Sequence, residues 1–170
     1  AKLKAEFTQQ YYDANGVPFR SKMIANVTKT NKLGSIVPGV YNFFTKNAIT
    51  GSLIKSMMGF AQERPIPALY KTTLKAWYHK NKANKFGEKP SKNLGKVIFF
   101  NDEFTNYLDV EQGIVAIKLL TAFGFEVLMP EVVDSGRTYF SKGLIKEAKK
   151  YALKNVELLG DLVNAKIQMV

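Results

Sequence analysis

From residue 96 onward the apolar positions change spacing four times, and each change marks an element. Lys96-Val97-Ile98-Phe99-Phe100 is a short apolar run of strand type, and a polar loop from Asn101 to Asp109 follows it. Val110, Ile114, Ile117, Leu120 and Thr121 then recur at helical spacing, with an Asp109-x-x-Gln112 capping pair ahead of them and Gly124 as a left-handed stop. Val127-Leu128-Met129 reads as a second strand ended by Pro130. After the loop Asp134-Ser135-Gly136-Arg137, Ser141 is expected to N-cap a second helix. Its apolar stripe is Leu144, Ile145, Ala148, Tyr151, Ala152, Val156 and Leu159, and Lys142, Lys146, Lys149, Lys150 and Lys154 take its solvated faces. Lys166-Ile167-Gln168-Met169-Val170 is a third strand. The order β-α-β-α-β predicts an α/β fold with a small parallel sheet and flanking helices, because parallel neighbours need helical crossovers. Ligand sites in such sheets lie beyond the carboxyl ends of the strands, which makes the two loops the candidate site.

The first 80 residues read as mostly helical. Leu3, Phe7 and Tyr11 form one stripe, Asn15-Gly16 breaks that helix, and Pro18 opens a second running to about Asn31. Leu33-Gly34 and Pro38-Gly39 end that section. A third helix is expected from about Val40 to Phe60, with Phe44, Ile49, Leu53, Met57 and Phe60 facing a core. Arg64-Pro65-Ile66-Pro67 must run extended, and Leu74 to Lys80 offers a short helix. The polar, basic, turn-rich stretch 81–94 reads as a linker between a helical segment, 1–80, and the α/β domain, 95–170.

Charge is divided unevenly across that boundary. Residues 1–94 hold 16 Lys and Arg against 4 Asp and Glu, a net of +12, whereas residues 95–170 hold 9 against 10. The cations are spread along the helical segment without a dense Arg cluster or a recognition motif, so a nucleic-acid function is disfavoured. A basic surface that meets an acidic partner or an anionic membrane face suits them better, the more so because Lys46 and Lys55 flank the apolar stripe of the third helix. The chain has no Cys, which excludes a disulfide framework and a thiolate-bound metal cluster within it. His79, the one histidine, has no other metal-ligand residues near it in sequence and suits a surface or aromatic-packing role. The turn after the first strand is Asn101-Asp102-Glu103, so no glycine-rich dinucleotide fingerprint is present. A nucleophilic triad built on Ser135 or Ser141 would have to recruit that lone histidine from the other half of the chain.

Several runs together resemble a known family. Phe104-Thr105-Asn106-Tyr107, Gly113-Ile114-Val115-Ala116, Leu119-Leu120, Phe123-Gly124-Phe125-Glu126-Val127, Ser135-Gly136-Arg137, Ser141-Lys142-Gly143-Leu144 and Ala148-Lys149 resemble one copy of the cysteine-rich CCG domain. That domain occurs in iron–sulfur subunits of heterodisulfide reductase and anaerobic glycerol-3-phosphate dehydrogenase, and at the carboxyl end of FAD-linked oxidases of the D-lactate dehydrogenase type. The family's paired cysteine ligands correspond to Asp134 and Ser135, while Gly136 and Arg137 remain. Iron–sulfur clusters are held by thiolate sulfur, so this copy is expected to have lost its cluster.

The resemblance implies a piece of a longer oxidoreductase; with no run of 18 apolar residues and no signal-peptide pattern, a cytoplasmic location is expected, with a peripheral position at the inner membrane face as one option. Such a protein oxidises a 2-hydroxy acid such as D-lactate at FAD and passes electrons through [4Fe-4S] clusters. The segment itself is expected to be non-catalytic and to hold no cofactor, with flavin and ferredoxin domains of the same polypeptide or complex as its partners. Asn106, Ser135, Gly136, Arg137 and Lys142 are the candidate ligand loop: Ser135 and Gly136 shape it, Arg137 offers a planar donor fork, and Lys142 adds a cation near the helix start. The other reading is a docking module that binds no small molecule and holds the flavin and ferredoxin domains together. An ordinary turn, with Asp and Ser bonding local backbone and glycine at positive φ, accounts for 134–137 equally well.

Overall fold

In the computed structural model, which describes residues 2–82, 86, 93–165 and 167–170, the chain divides into two compact units that are not consecutive in sequence. Unit 1 comprises residues 1–71 and 134–152, and unit 2 comprises 72–133 and 153–170. The sequence reading groups Leu74–Asn81 with the helices before it and 134–152 with the sheet; packing groups each the other way. Most of the stretch 81–94 read as a linker lies outside the described residues.

Unit 2 holds the sheet. β1 (Gly95–Ile98), β2 (Phe125–Leu128) and β3 (Gln168–Met169) are all parallel in the order β2-β1-β3, with Val97 paired to Val127 on one side and to Gln168 on the other. The parallel α/β expectation therefore holds. The strands are shorter than the apolar runs, although Phe99 N–H still donates to Leu128 O and Phe100 N–H to Val170 O. The 101–109 segment is not simply a loop: Asp102 accepts from the N–H groups of Phe104 and Thr105 and so caps α7 (Glu103–Tyr107). α8 (Val110–Phe123) runs as expected and stops at Gly124, φ 107°. Asp109 stands at its N-cap position but makes no capping bond with its side chain, so the Asp109/Gln112 pair does not act as predicted. Val110, Gly113, Ile117 and Thr121 are its buried face.

α6 (Leu74–Asn81) is built into this unit through Leu74 and Tyr78, both essentially buried. Tyr78 Oη donates to Val127 O of β2 at 2.9 Å and accepts from Met129 N–H at 3.3 Å. Its neighbour His79 is exposed and meets the Tyr78 ring edge-on, in line with a surface aromatic role.

Unit 1 is helical. α1 (Lys2–Asn15) ends before Gly16, as expected. The single helix expected from Pro18 to Asn31 is two, α2 (Phe19–Ala25) and α3 (Val27–Gly34), parted at Asn26. The helix expected over 40–60 is likewise two, α4 (Pro38–Lys46) and α5 (Ala48–Met58), because Asn47 turns extended and its side chain caps α5. Ser141 is not an N-cap. It ends the short α9 (Arg137–Ser141) and donates to Thr138 O, and α10 (Ile145–Asn164) starts after a turn at Lys142-Gly143. The core is Ala25, Tyr139 and Ala148, with Leu144 and Tyr151 packed against it. Thr138 Oγ1 donates to Ala25 O at 3.0 Å and Tyr139 Oη to Asn26 Oδ1 at 2.9 Å. The first bond gives the last carbonyl of α2 a donor, and the second holds the Asn26 side chain at the junction of α2 and α3.

α10 supplies its first two turns to unit 1 and the rest to unit 2. In unit 2 Asn155 clamps Val133, accepting from its N–H and donating to its carbonyl. Of the predicted stripe, Ala148 and Leu159 are buried, whereas Val156 is 69% exposed.

Candidate functional site

The sequence-derived site is divided between the two units: Asn106 belongs to unit 2, and Ser135, Gly136, Arg137 and Lys142 belong to unit 1. Asn106 lies on α7, past the carboxyl end of the central strand, where its Oδ1 accepts from Asn101 Nδ2 at 3.0 Å and from Lys75 N–H at 3.1 Å. It thereby joins the post-β1 segment to the first turn of α6. Asn101 Oδ1 beside it is buried without a hydrogen-bond partner among the described residues.

Ser135 Oγ accepts from Arg137 N–H at 3.1 Å, and Gly136 takes φ +76° at the N-cap of α9. The loop presses on α10: a Cβ at Gly136 would come 3.0 Å from Ala148 O and 3.3 Å from Tyr151 Cβ. Glycine is needed here on two counts, conformation and space. Arg137 is exposed, and Lys142 is half-buried at the C-cap of α9. The first turn of α10 is engaged as well, with Lys146 N–H donating to Gln9 Oε1 at 3.2 Å and Lys146 Nζ reaching Asp13 at 2.8 Å. That hydrogen bond from Lys146, with its charge, holds the Asp13 carboxyl below its ordinary value. The Ser135–Arg137 bond and the positive φ of Gly136 give 134–137 the local geometry of a turn packed on α10. The Asp134-Ser135 pair and a chain without Cys do not fit an iron–sulfur cluster. Among the described residues, no group of three or more acidic, His or Cys side chains is placed to hold a metal ion.

Behind the loop, Tyr139 and Tyr151 stack with ring centroids 5.1 Å apart. Burial pushes the Tyr139 phenol well above its ordinary range, and the Tyr151 hydroxyl and the Asp134 charge push the same way. Tyr151 belongs to the expected apolar stripe, but no spacing signals this pair, because Tyr139 packs and bonds with Ala25 and Asn26 from the far end of the chain.

The outward faces of unit 1 carry the larger surprise. No residue of α4 is buried, and in α5 only Gly51 is. Ile49, Leu53 and Met57, expected to face a core, stand 80%, 61% and 73% exposed at one-turn spacing. Leu3, Phe7 and Tyr11 of α1 are exposed in the same way, and Val115, Leu119 and Phe123 repeat the pattern on α8 of unit 2. Each such side chain forgoes about 1.5–3 kcal/mol that full burial would contribute. Charge follows the packing too: unit 1 holds 15 Lys and Arg against 5 Asp and Glu, net +10, and unit 2 holds 10 against 9. Among the described residues, no helix is long and apolar enough to cross a membrane.

Comparison with known proteins gives weak but end-to-end similarity. No protein-family model matches the chain, and no solved structure matches it. Over 99% of its length it is 23% identical to a D-2-hydroxyglutarate dehydrogenase of Pantoea ananatis, and 21% and 20% identical to proteins of that name from Escherichia coli and Haemophilus influenzae. The chain spans only 17% of the length of each of these relatives, so what it is similar to is one segment of a much longer dehydrogenase.

Proposed function

We propose that this chain is a non-catalytic segment of a longer flavin-linked, cytoplasmic dehydrogenase that oxidises a D-2-hydroxy acid. The observation that carries the reading is the end-to-end alignment with one sixth of proteins named D-2-hydroxyglutarate dehydrogenase. The parallel β2-β1-β3 sheet is compatible with it and accommodates the CCG-type motif order. D-2-hydroxyglutarate is the substrate those names supply, and D-lactate is the alternative from the same chemical class. In this reading FAD and [4Fe-4S] clusters of the parent lie outside these residues, since Asp134 and Ser135 stand where cluster thiolates would.

Within the parent, the segment acts as a docking module rather than as a ligand loop. Two bonds favour this: Ser135 Oγ already holds Arg137 N–H, and Gln9 already holds the first-turn N–H of Lys146. An anion bound by Arg137 and a helix start would need donors of this kind. The test uses the longer polypeptide and the 170-residue chain side by side. The longer protein should contain flavin, iron and acid-labile sulfide and reduce a dye with D-2-hydroxyglutarate or D-lactate. The chain alone should be colourless, and calorimetry should register no sulfate or hydroxy-acid binding. Stoichiometric iron and sulfide, or flavin, in the isolated chain would overturn the assignment. Sulfate binding that Arg137→Ala abolishes would restore the ligand loop.

A further inference from the structure

We infer that the outward face of the α4–α5 pair is the surface by which this segment docks onto the rest of the parent polypeptide, against a patch with an apolar centre and a carboxylate rim. The inference rests on the parent reading above and adds the surface and the occupant.

The pair is firmly placed although almost none of it is buried. Asn42 holds Leu69 by two bonds, donating to its carbonyl and accepting from its N–H, both at 2.8 Å, and Leu69 is 3% exposed. Tyr41 is partly covered, and burial raises its phenol above the ordinary value. Asn47 caps α5, and Thr50 Oγ1 donates to Phe44 O at 2.6 Å. One side of α4 is therefore fixed by Tyr41 and Asn42, which leaves Val40, Phe43 and Phe44 exposed on the other. On α5, Ile49, Leu53 and Met57 are exposed in their turn. A rigid helix pair with an unpartnered apolar face is the form that helix-groove recognition takes.

Three occupants compete for it, and charge with chemistry selects among them. A second copy would bring a second unit of net +10 against the first, so self-association is opposed. A lipid surface needs a basic polar face on the inserting helix. The polar face of α5 is instead Ser52 and Ser56, both bonded to the Gln62 side chain, and Lys55 Nζ is held by the Gln62 carbonyl at 2.6 Å. The remaining occupant is protein, and the relatives carry five sixths of their length outside the aligned segment. Lys46, exposed in the last turn of α4, and the net +10 of the unit select an acidic rim on that protein.

Hydroxyl-radical footprinting of Met57 tests this, with half-buried Met58 as an internal reference. In the longer polypeptide Met57 should oxidise roughly tenfold more slowly than in the 170-residue chain, because thioether oxidation follows exposure. Leu53→Lys in the longer polypeptide should return Met57 to the rate of the isolated chain. The same substitution in the isolated chain should leave its melting temperature unchanged, Leu53 being exposed there. Equal oxidation of Met57 in both proteins would overturn the inference. Protection of Met57 in the isolated chain by phosphatidylglycerol vesicles would overturn it in favour of a lipid surface, and protection that rises with chain concentration would overturn it in favour of self-association. Flavin content and hydroxy-acid oxidation of the longer polypeptide report separately on the parent reading.

Discussion

Replacing Gly136 by Ala tests whether the candidate loop is shaped for a ligand or for packing. Gly136 sits at φ +76°, a conformation that costs a residue with a Cβ about 1–2 kcal/mol. The added Cβ also lands 3.0 Å from Ala148 O and 3.3 Å from Ala148 Cα, both helix backbone that cannot rotate away. Overpacking of that kind costs about 1–3 kcal/mol, and the middles of the two ranges sum to a loss of about 3.5 kcal/mol. For a chain of this length, that lowers the midpoint of thermal unfolding by about 5–15 °C. Circular dichroism melts measure it, and the near-ultraviolet signal of the Tyr139–Tyr151 stack shows whether α10 has shifted. Gly136→Asn, which tolerates positive φ better, should recover part of the conformational cost but none of the contact cost. A loss below about 0.5 kcal/mol for Gly136→Ala, the size of an ordinary surface change, would refute the argument. The glycine would then be free of α10, and close approach of a ligand would become the better reason for it.

Tyr78→Phe should cost about 2–3 kcal/mol, because it strands the Val127 carbonyl and weakens the Met129 N–H; loss of hydrogen-exchange protection at Met129 checks it. Tyr139, Tyr78 and Tyr41 all have phenols raised by burial, so the neutral form is favoured in the fold. Their contribution is whole below the ordinary tyrosine value of about 10 and is lost as pH rises beyond it; stability measured from pH 8 to 12 should fall, less steeply in Tyr139→Phe. Asp13 runs the other way: its lowered carboxyl stabilises above the ordinary carboxylate range and loses that contribution as pH falls through the lowered value. Because the pair is exposed, salt should erase most of the difference between the parent chain and Lys146→Ala.

The parallel sheet was legible because β-α-β-α-β spacing and Gly124 are local signals. The helix breaks at Asn26 and Asn47 were not, since asparagine in a run of helix formers announces no break. At Asn47 the side chain bonds Ile49 and Thr50 instead of continuing the helix, a local competition that only the backbone reveals. The stripe Ile49-Leu53-Met57 is legible from its spacing, but its exposure is not: periodicity shows that a helix has an apolar face, not that the same chain covers it. Likewise Ser135-Gly136-Arg137 was legible as a turn, but the contact of Gly136 with Ala148 joins residues twelve apart through a tertiary approach that spacing does not encode. The pairing of Thr138 and Tyr139 with Ala25 and Asn26, 113 residues away, lies further still beyond sequence pattern.

The discontinuous make-up of unit 1 has a consequence for how the chain is made. Its first 71 residues emerge from a ribosome well before Asp134–Ala152, which bring Tyr139 and Ala148 to the core around Ala25. At about 5–20 residues per second, the intervening 72–133 segment imposes a wait of roughly 3–12 s. Throughout that interval the inward faces of α1 and α2 are uncovered together with stripes that this chain never covers. Slowing translation between residues 72 and 133 should raise aggregation, whereas the same slowing after residue 152 should not.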